Sequence, residues 1–353
     1  MTRKPYRMVT GVGSFPFKKE DEALELIFKN MPLIPHWPQL PSIGNSEGFV
    51  EQYLYPLIKI EVLKYKKEGS PFFDTENLSF IENITEFYDL YLRAKEGEIE
   101  AADCFTMPHK YASGFYTFVN KLKKEGTGNA VFLKGQISGP VTVGLKLTNE
   151  KQLPSFYHQQ LRDMLVKTLE LQLEWQIKEM SQFGLPLIIF IDDPGICFFG
   201  QASYVGLSRE DIKESLKELI EAAHNHQVLV GVHVCSGIDW SILTELDVDI
   251  INIDAVNYFD SLLVYTDSLK DFINRGGIVA WGVVPTDIRI LSENKDTIFK
   301  RLSSCLENFI KKGLPEEALK KQLMVTPSCG TGVLSRELTE KIYALTGEIQ
   351  LYL

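Results

Sequence analysis

Leu187-Ile188-Ile189-Phe190-Ile191-Asp192-Asp193-Pro194-Gly195 is the stretch that decides the fold. It is apolar at every position up to two adjacent carboxylates, as a strand buried on both faces of a parallel sheet should be. A helical period follows: Ser208 with Asp211 resembles a capping box, and Ile212, Leu216, Leu219 and Ile220 recur at helix spacing. Val228–Cys235 is then a second apolar run. This strand–helix–strand unit repeats on either side. Upstream lie the run Ala130–Gly135 and the helical pattern Tyr157–Phe183, stopped by Gly184. Downstream come the runs Asp249–Asp254, Ile278–Gly282 and Gln322–Thr326. Helical patterns occupy Asp296–Lys312, ended by Gly313-Leu314-Pro315, and the segment through Leu338, Ile342, Leu345 and Ile349. Met8–Val12 adds a seventh strand. Leu33–Leu40 stands where an eighth belongs, although Pro35 and Pro38 argue against a regular strand.

Seven or eight units in 353 residues predict an α/β chain folded as a (β/α)8 TIM barrel. The expected organisation is a single domain over residues 1–353, with an N-terminal insertion at about 41–128 in which Thr85–Lys95 and Phe115–Lys123 read as helices. A doubly wound open sheet is the rival. Its glycine fingerprint is missing, because Gly11-Val12-Gly13-Ser14-Phe15-Pro16 is too short a match and its proline breaks it. The 21 Phe, 14 Tyr and 4 Trp exclude a disordered chain. A formal net charge of −10 argues against a nucleic-acid surface. No apolar run reaches the roughly 18 residues of a membrane span, and no apolar signal core follows the basic start, so a cytoplasmic protein is expected.

Five cysteines in such a chain are weighed as core, nucleophile or metal ligand rather than as a disulfide framework. In a βα barrel the reactive groups stand at the C-terminal strand ends. Along Gly231–Cys235 alternate side chains share a face, which puts His233 and Cys235 together. Asn252 and Asp254 share a face of the next strand, and a carboxylate closing an apolar strand needs a partner. The last strand runs into Pro327-Ser328-Cys329-Gly330. His233, Cys235, Cys329 and an oxygen ligand from Asp254 would make a zinc site of nitrogen, sulfur and oxygen donors. The opposing reading is that a buried cysteine is a small hydrophobe, which is the expectation for Cys104, Cys197 and Cys305. His224 and His226 end a helix and are read as dipole partners. Asp192 and Asp193 have two readings: capping of a helix, or a grip on an ammonium or hydroxyl of a substrate.

The chain resembles the catalytic barrel of the cobalamin-independent methionine synthase family, within the broader superfamily of uroporphyrinogen decarboxylases and methylcobalamin:thiol methyltransferases. Six motifs in the same order carry the likeness: Val12-Gly13-Ser14-Phe15-Pro16, Gly139-Pro140-Val141-Thr142, Ile191-Asp192-Asp193-Pro194, His233-Val234-Cys235, Asp254, and Pro327-Ser328-Cys329-Gly330. The resemblance implies that Gly13 and Ser14 contact an amino-acid substrate and that Asp192 binds the amino group of homocysteine. It also implies that His233, Cys235, Cys329 and Asp254 hold Zn(II), Asp254 replacing a family glutamate one methylene longer, with Asp239 a substitute for Asp254. The chain departs from the family in lacking room for a second barrel. Trp281–Asp287 also stands where a proton-donating histidine is expected. A folate leaving group needs protonation and a cob(I)alamin does not, so the expected donor shifts from methylfolate toward a methylcorrinoid, carried free or on a corrinoid protein. The implied activity is zinc-dependent methyl transfer to a small thiol, homocysteine first, to give methionine. Two alternatives stand beside it. One is a metal-free decarboxylase, which would need arginines near the first strand, where only Arg3 and Arg7 occur. The other is a non-catalytic barrel that binds zinc or a corrinoid protein.

Overall fold

The seven apolar runs pair side by side and all parallel in the computed structural model, which describes residues 3–67 and 69–353. We label them β1 (Met8–Val9), β2 (Leu133–Ser138), β3 (Leu187–Asp192), β4 (Leu229–Val234), β5 (Ile250–Asp254), β6 (Ile278–Val284) and β7 (Leu323–Pro327). Their order in the curled sheet is β1-β7-β6-β5-β4-β3-β2. Sequence neighbours are thus spatial neighbours, except that β1 closes onto β7.

The Leu33–Leu40 stretch runs between the two edges without becoming a regular strand. On one side Phe15 N donates to the Gln39 carbonyl and Gln39 N to that of Gly13. On the other, Lys134 N donates to the Pro35 carbonyl and Val131 N to that of Leu33. Isolated parallel bridges Ser14↔Gln39 and His36↔Lys134 mark the two contacts. Pro35 and Pro38 have no N–H to give, so a continuous ladder cannot form.

The sheet buries both faces because helices cover the outside. Ser208 caps the helix Arg209–Asn225 by accepting from Asp211 N at 3.0 Å. Asn294 and Thr297 cap Lys295–Lys311 reciprocally. Gly184, after Gln159–Ser181, and Gly313, after Lys295–Lys311, take the left-handed backbone (φ +69° and +89°) that ends a helix cheaply. The outward residues Val230, Val232, Ile251, Ile253 and Val279 join the helices in one large apolar cluster. The inward residues divide by depth. Phe132, Ile188, Leu229, Ile250, Ile278 and Met324 meet Ile34 in a second apolar cluster at the strand starts. Nearer the strand ends the inward positions are buried and polar: Gln136, Asp192, His233, Asn252 and Thr326. An apolar floor below polar groups at the C-terminal ends is the arrangement that places chemistry in this class of fold.

The 41–128 segment holds the helices expected there, as Phe80–Lys95 and Ser113–Glu125. It also holds part of an unforeseen three-stranded sheet, Leu63–Tyr65, Pro71–Phe73 and Thr148–Asn149. Its start lies over the strand ends: Ser138 Oγ donates to the Phe49 carbonyl, and the Tyr53 hydroxyl accepts from Gln39 Nε2 at 2.9 Å. Among the described residues no helix is long and apolar enough to cross a membrane.

Candidate metal centre

The register of the sheet brings residues of four strands into one row. Ser138 pairs with Asp192, Asp192 with His233, and His233 with Asn252. His233 and Cys235, two residues apart on β4 and just past it, project inward as alternation requires. Cys329 enters from the turn after β7. One donor atom each from His233, Cys235 and Cys329 lie within 4.8 Å of one another.

The histidine is oriented by a neighbour. Asn252 Nδ2 donates to the Ala280 carbonyl and to Thr326 Oγ1, both at 2.8 Å, which turns its Oδ1 toward His233. Oδ1 lies 2.6 Å from His233 Nδ1, so Nδ1 carries the proton and Nε2 carries the lone pair. Nε2 is buried and has no hydrogen-bond partner among the described residues. A buried nitrogen lone pair near two sulfurs, with the ring's other nitrogen fixed by an outer hydrogen bond, is a set of donors that could hold a metal ion.

The electrostatics agree with thiolate character. Cys329, then His233, beside Cys235 hold its thiol down at about 4 against the opposing effect of burial. Cys329 moves up because of Cys235 first and burial second. The two sulfurs therefore behave as a pair that gives up one proton readily and keeps the other. Burial would lower His233, but Cys235, Asp192 and Asn252 outweigh it and its value rises.

Asp254 is not brought into this cluster. Its Oδ1 accepts from Val256 N and Asn257 N at 3.0 Å, and its Oδ2 from Asn257 Nδ2 at 2.7 Å. Both oxygens are spent on the turn that follows β5, the commonest local use of an aspartate at a strand end. Asp239, the substitute, is farther from the role: it pairs with Arg209 at 2.7 Å and takes Ser241 N at 3.1 Å.

The capping reading of the acidic pair holds for Asp193. Asp193 caps the helix Pro140–Lys146, accepting from Val141 N at 3.1 Å, Thr142 N at 2.7 Å and Thr142 Oγ1 at 2.6 Å. A Cβ on Gly139 would stand 2.1 Å from that of Asp193, so the Gly139–Thr142 motif and Asp193 pack as one unit. Asp192 does not cap. Its Oδ1 is buried without a partner among the described residues, and burial pushes the carboxyl up to about 6.

Gly13 and Ser14 lie against the loop that carries Cys329. The Ser14 carbonyl accepts from Thr331 N at 2.9 Å and from Thr331 Oγ1 at 2.8 Å, and Ser14 Oγ accepts from Gly332 N at 3.2 Å. Among the other cysteines, Cys305 is buried on its helix and burial raises its thiol to about 12, as expected of a core position. His224 is held by Asp249 at 2.9 Å on the outer surface.

Three participants escaped the sequence reading. Asn252 was placed on the right face but given no partner; its signal was the polar residue two before Asp254 in an apolar run. Lys134 and Gln136 sit inside β2, where the pattern showed only an apolar strand. Lys134 is fully buried, donates to the Val12 carbonyl at 2.6 Å, and is pushed down to about 8 by burial.

No protein-family model matches the sequence, and no curated protein matches it. Among solved structures, the chain is similar to a B12-independent methionine synthase from a Shewanella species in complex with selenomethionine. That match has 19% identity and a TM-score of 0.46, and covers 67% of this chain and 66% of that one. It is also matched to the FimX EAL domain of Pseudomonas aeruginosa bound to c-di-GMP, at 13% identity and TM-score 0.28, over 73% of this chain and 91% of the other. A dihydropteroate synthase from Xanthomonas albilineans matches at 12% identity and TM-score 0.24, over 70% and 89%.

Proposed function

We propose that this chain is a zinc-dependent methyltransferase that moves a methyl group onto a small thiol, homocysteine first. Its scaffold is a one-domain (β/α)8 barrel in which the irregular 33–40 stretch takes the place of the second strand. The observation that carries the reading is the His233–Cys235–Cys329 cluster, with His233 Nε2 left open and Nδ1 fixed by Asn252. These three residues would hold the metal. Zinc bound there would supply a Lewis acid that deprotonates an acceptor thiol, which is mostly protonated in water at neutral pH because a free thiol has a pKa of about 8.5.

The remaining work falls to the chain's own groups. Asn252 holds the imidazole in the metal-binding tautomer. The buried Asp192 Oδ1, without a partner among the described residues, meets the ammonium end of the acceptor, whose carboxylate lies toward Gly13 and Ser14. Ser14, Thr331 and Gly332 lock that side of the site to the Cys329 loop, so the acceptor's two ends are fixed relative to the thiolate. The acceptor sulfur then takes the methyl group, and the electron pair of the broken bond leaves with the donor. No histidine follows His233 in the chain, so a leaving group that needs no protonation fits best. A methylcorrinoid, free or on a corrinoid protein, is the donor we propose ahead of methylfolate.

The decarboxylase alternative loses ground on the position of its arginines. Arg7 N donates to the carbonyl of Leu323, the first residue of β7, and the Arg3 guanidinium lies 6.0 Å from the centre of the Phe132 ring, just before β2. Both stand at the strand starts, on the opposite end from Asp192 and Cys329. The test is metal content joined to turnover. About one zinc per chain and homocysteine-dependent loss of the methyl–cobalt absorbance of methylcobalamin are expected. Zinc without demethylation by any thiol would favour the binding-only barrel, and no zinc after reconstitution under reducing conditions would sink the methyltransferase.

A further inference from the structure

Lys134 is a buried ammonium that the mechanism above leaves unused. It is the only buried lysine or arginine among the described residues. An unpaired buried cation is costly, so its surroundings must offset the loss of water. Nζ donates to the Val12 carbonyl at 2.6 Å and to Gln136 Oε1 at 3.2 Å, and lies 4.6 Å from the centre of the Phe190 ring. The charge that favours its protonated form is that of Asp192.

Both attachments lead to the acceptor's amino-acid end. Val12 immediately precedes Gly13. Gln136, which Lys134 holds, is in turn packed on Gly13: a Cβ there would stand 3.0 Å from Gln136 Cδ and 3.1 Å from Gln39 Oε1. Gln136 Nε2 also donates to the Trp37 carbonyl at 2.8 Å, and Gln39 N to that of Gly13 at 3.0 Å. The backbone at 12–14 is therefore held from beneath by Lys134 and Gln136 and from the side by the 37–39 stretch. Asp192 pairs in register with Ser138, two residues beyond Gln136 on β2, and its carboxylate is the counter-charge that favours the Lys134 ammonium.

We propose that Lys134 is a positioning residue for an acceptor bearing an α-amino acid end. It clamps the Val12–Gly13 backbone that meets the acceptor's carboxylate, and it balances the Asp192 carboxylate that meets the acceptor's ammonium. This rests on the thiol-transfer reading and narrows it: a thiol without the amino-acid end has no use for Lys134.

The experiment compares wild type, Lys134→Met, Asp192→Asn and the double variant, all zinc-loaded. It reads zinc per chain, homocysteine affinity by calorimetry, rates with homocysteine and with 2-mercaptoethanol, and melting temperature. Lys134→Met is expected to keep its zinc and bind homocysteine about tenfold more weakly or worse, the scale of a lost charge-assisted interaction. Its rate with 2-mercaptoethanol should stay within about twofold of wild type on the same reasoning. The double variant should melt no lower than Lys134→Met, because removing the Asp192 charge removes the imbalance. Should Lys134→Met fail to fold, the double variant carries the homocysteine comparison against Asp192→Asn. Equal losses with both thiols, unchanged homocysteine affinity, or additive melting effects would overturn the proposal. A zinc-loaded wild type that binds no homocysteine overturns the acceptor reading and this inference together. The coupling between Lys134 and Asp192 in melting tells that case from the others.

Discussion

Replacing Asn252 with alanine removes the one hydrogen bond that fixes the His233 tautomer. Three contacts vanish: Oδ1 to His233 Nδ1 at 2.6 Å, and Nδ2 to the Ala280 carbonyl and to Thr326 Oγ1 at 2.8 Å. The Thr326 hydroxyl loses only a bond it accepts and keeps its own O–H to donate, and the Ala280 carbonyl belongs to a strand paired on both sides. The His233 N–H has no such recourse, and leaving it buried and unpaired costs about 1–3 kcal/mol. For metal affinity, outer hydrogen bonds to a ligating imidazole are worth about 10–100-fold, or roughly 1.4–2.7 kcal/mol. We therefore expect Asn252→Ala to fold, to melt lower than wild type, and to bind zinc about 10–100-fold more weakly. Asn252→Asp, which keeps an acceptor at the same place, should bind zinc at least as well as wild type. Competition against a chromophoric chelator at fixed pH measures both variants. A folded Asn252→Ala that binds zinc as tightly as wild type would refute the assignment of Nε2 as the ligating atom.

Other outcomes follow from the same geometry. Cys235→Ala and Cys329→Ala should each fall from about one zinc per chain to a small fraction by elemental analysis, since each removes one of the three donors clustered among the described residues. Asp254→Ala should keep its zinc and lose about 0.5–2 kcal/mol of stability to urea, the cost of a lost turn cap; zinc loss instead would reinstate Asp254 as a ligand. Zinc affinity should fall as pH drops through the raised value of His233, because the metal and the proton compete for Nε2; an affinity flat across that range contradicts it. His36 is fully buried and held down at about 3, by burial first and Lys134 second. The stability owed to its neutral form is full above the ordinary value of about 6.5 and is lost as pH falls toward 3. His36→Gln should therefore narrow the gap between urea midpoints at neutral pH and at about pH 4, whatever it does to the midpoints themselves.

Much of the scaffold was legible because burial on both faces writes itself as unbroken apolar runs. Leu187–Asp192 matches its strand residue for residue, and the runs for β4 to β7 differ from the expectation only at their ends. The Ala130–Gly135 run was set too early: the strand is Leu133–Ser138, and the amides of Val131 and Phe132 go to the Leu33 carbonyl instead. Its later residues were hidden because Lys134, Gln136 and Ser138 are polar and face inward, against the pattern of an apolar strand. Strand alternation sufficed to pair His233 with Cys235, and strand ends sufficed to add Cys329. Alternation put Asp254 on the correct face too, but a carboxylate can satisfy itself locally, and the turn to Asn257 took it. The Asn252 amide was invisible as a partner because its three contacts come from three other strands. The small sheet at Leu63–Tyr65, Pro71–Phe73 and Thr148–Asn149 has strands too short to carry a period.

Zinc K-edge absorption, recorded on the zinc-loaded protein with and without homocysteine, tests the thiol-activating site most directly. The account predicts a shell with two protein sulfurs and one imidazole nitrogen that gains a third sulfur when homocysteine is added, and predicts that Cys329→Ala lowers the count by one. A shell without sulfur, or one that homocysteine leaves unchanged, would contradict it.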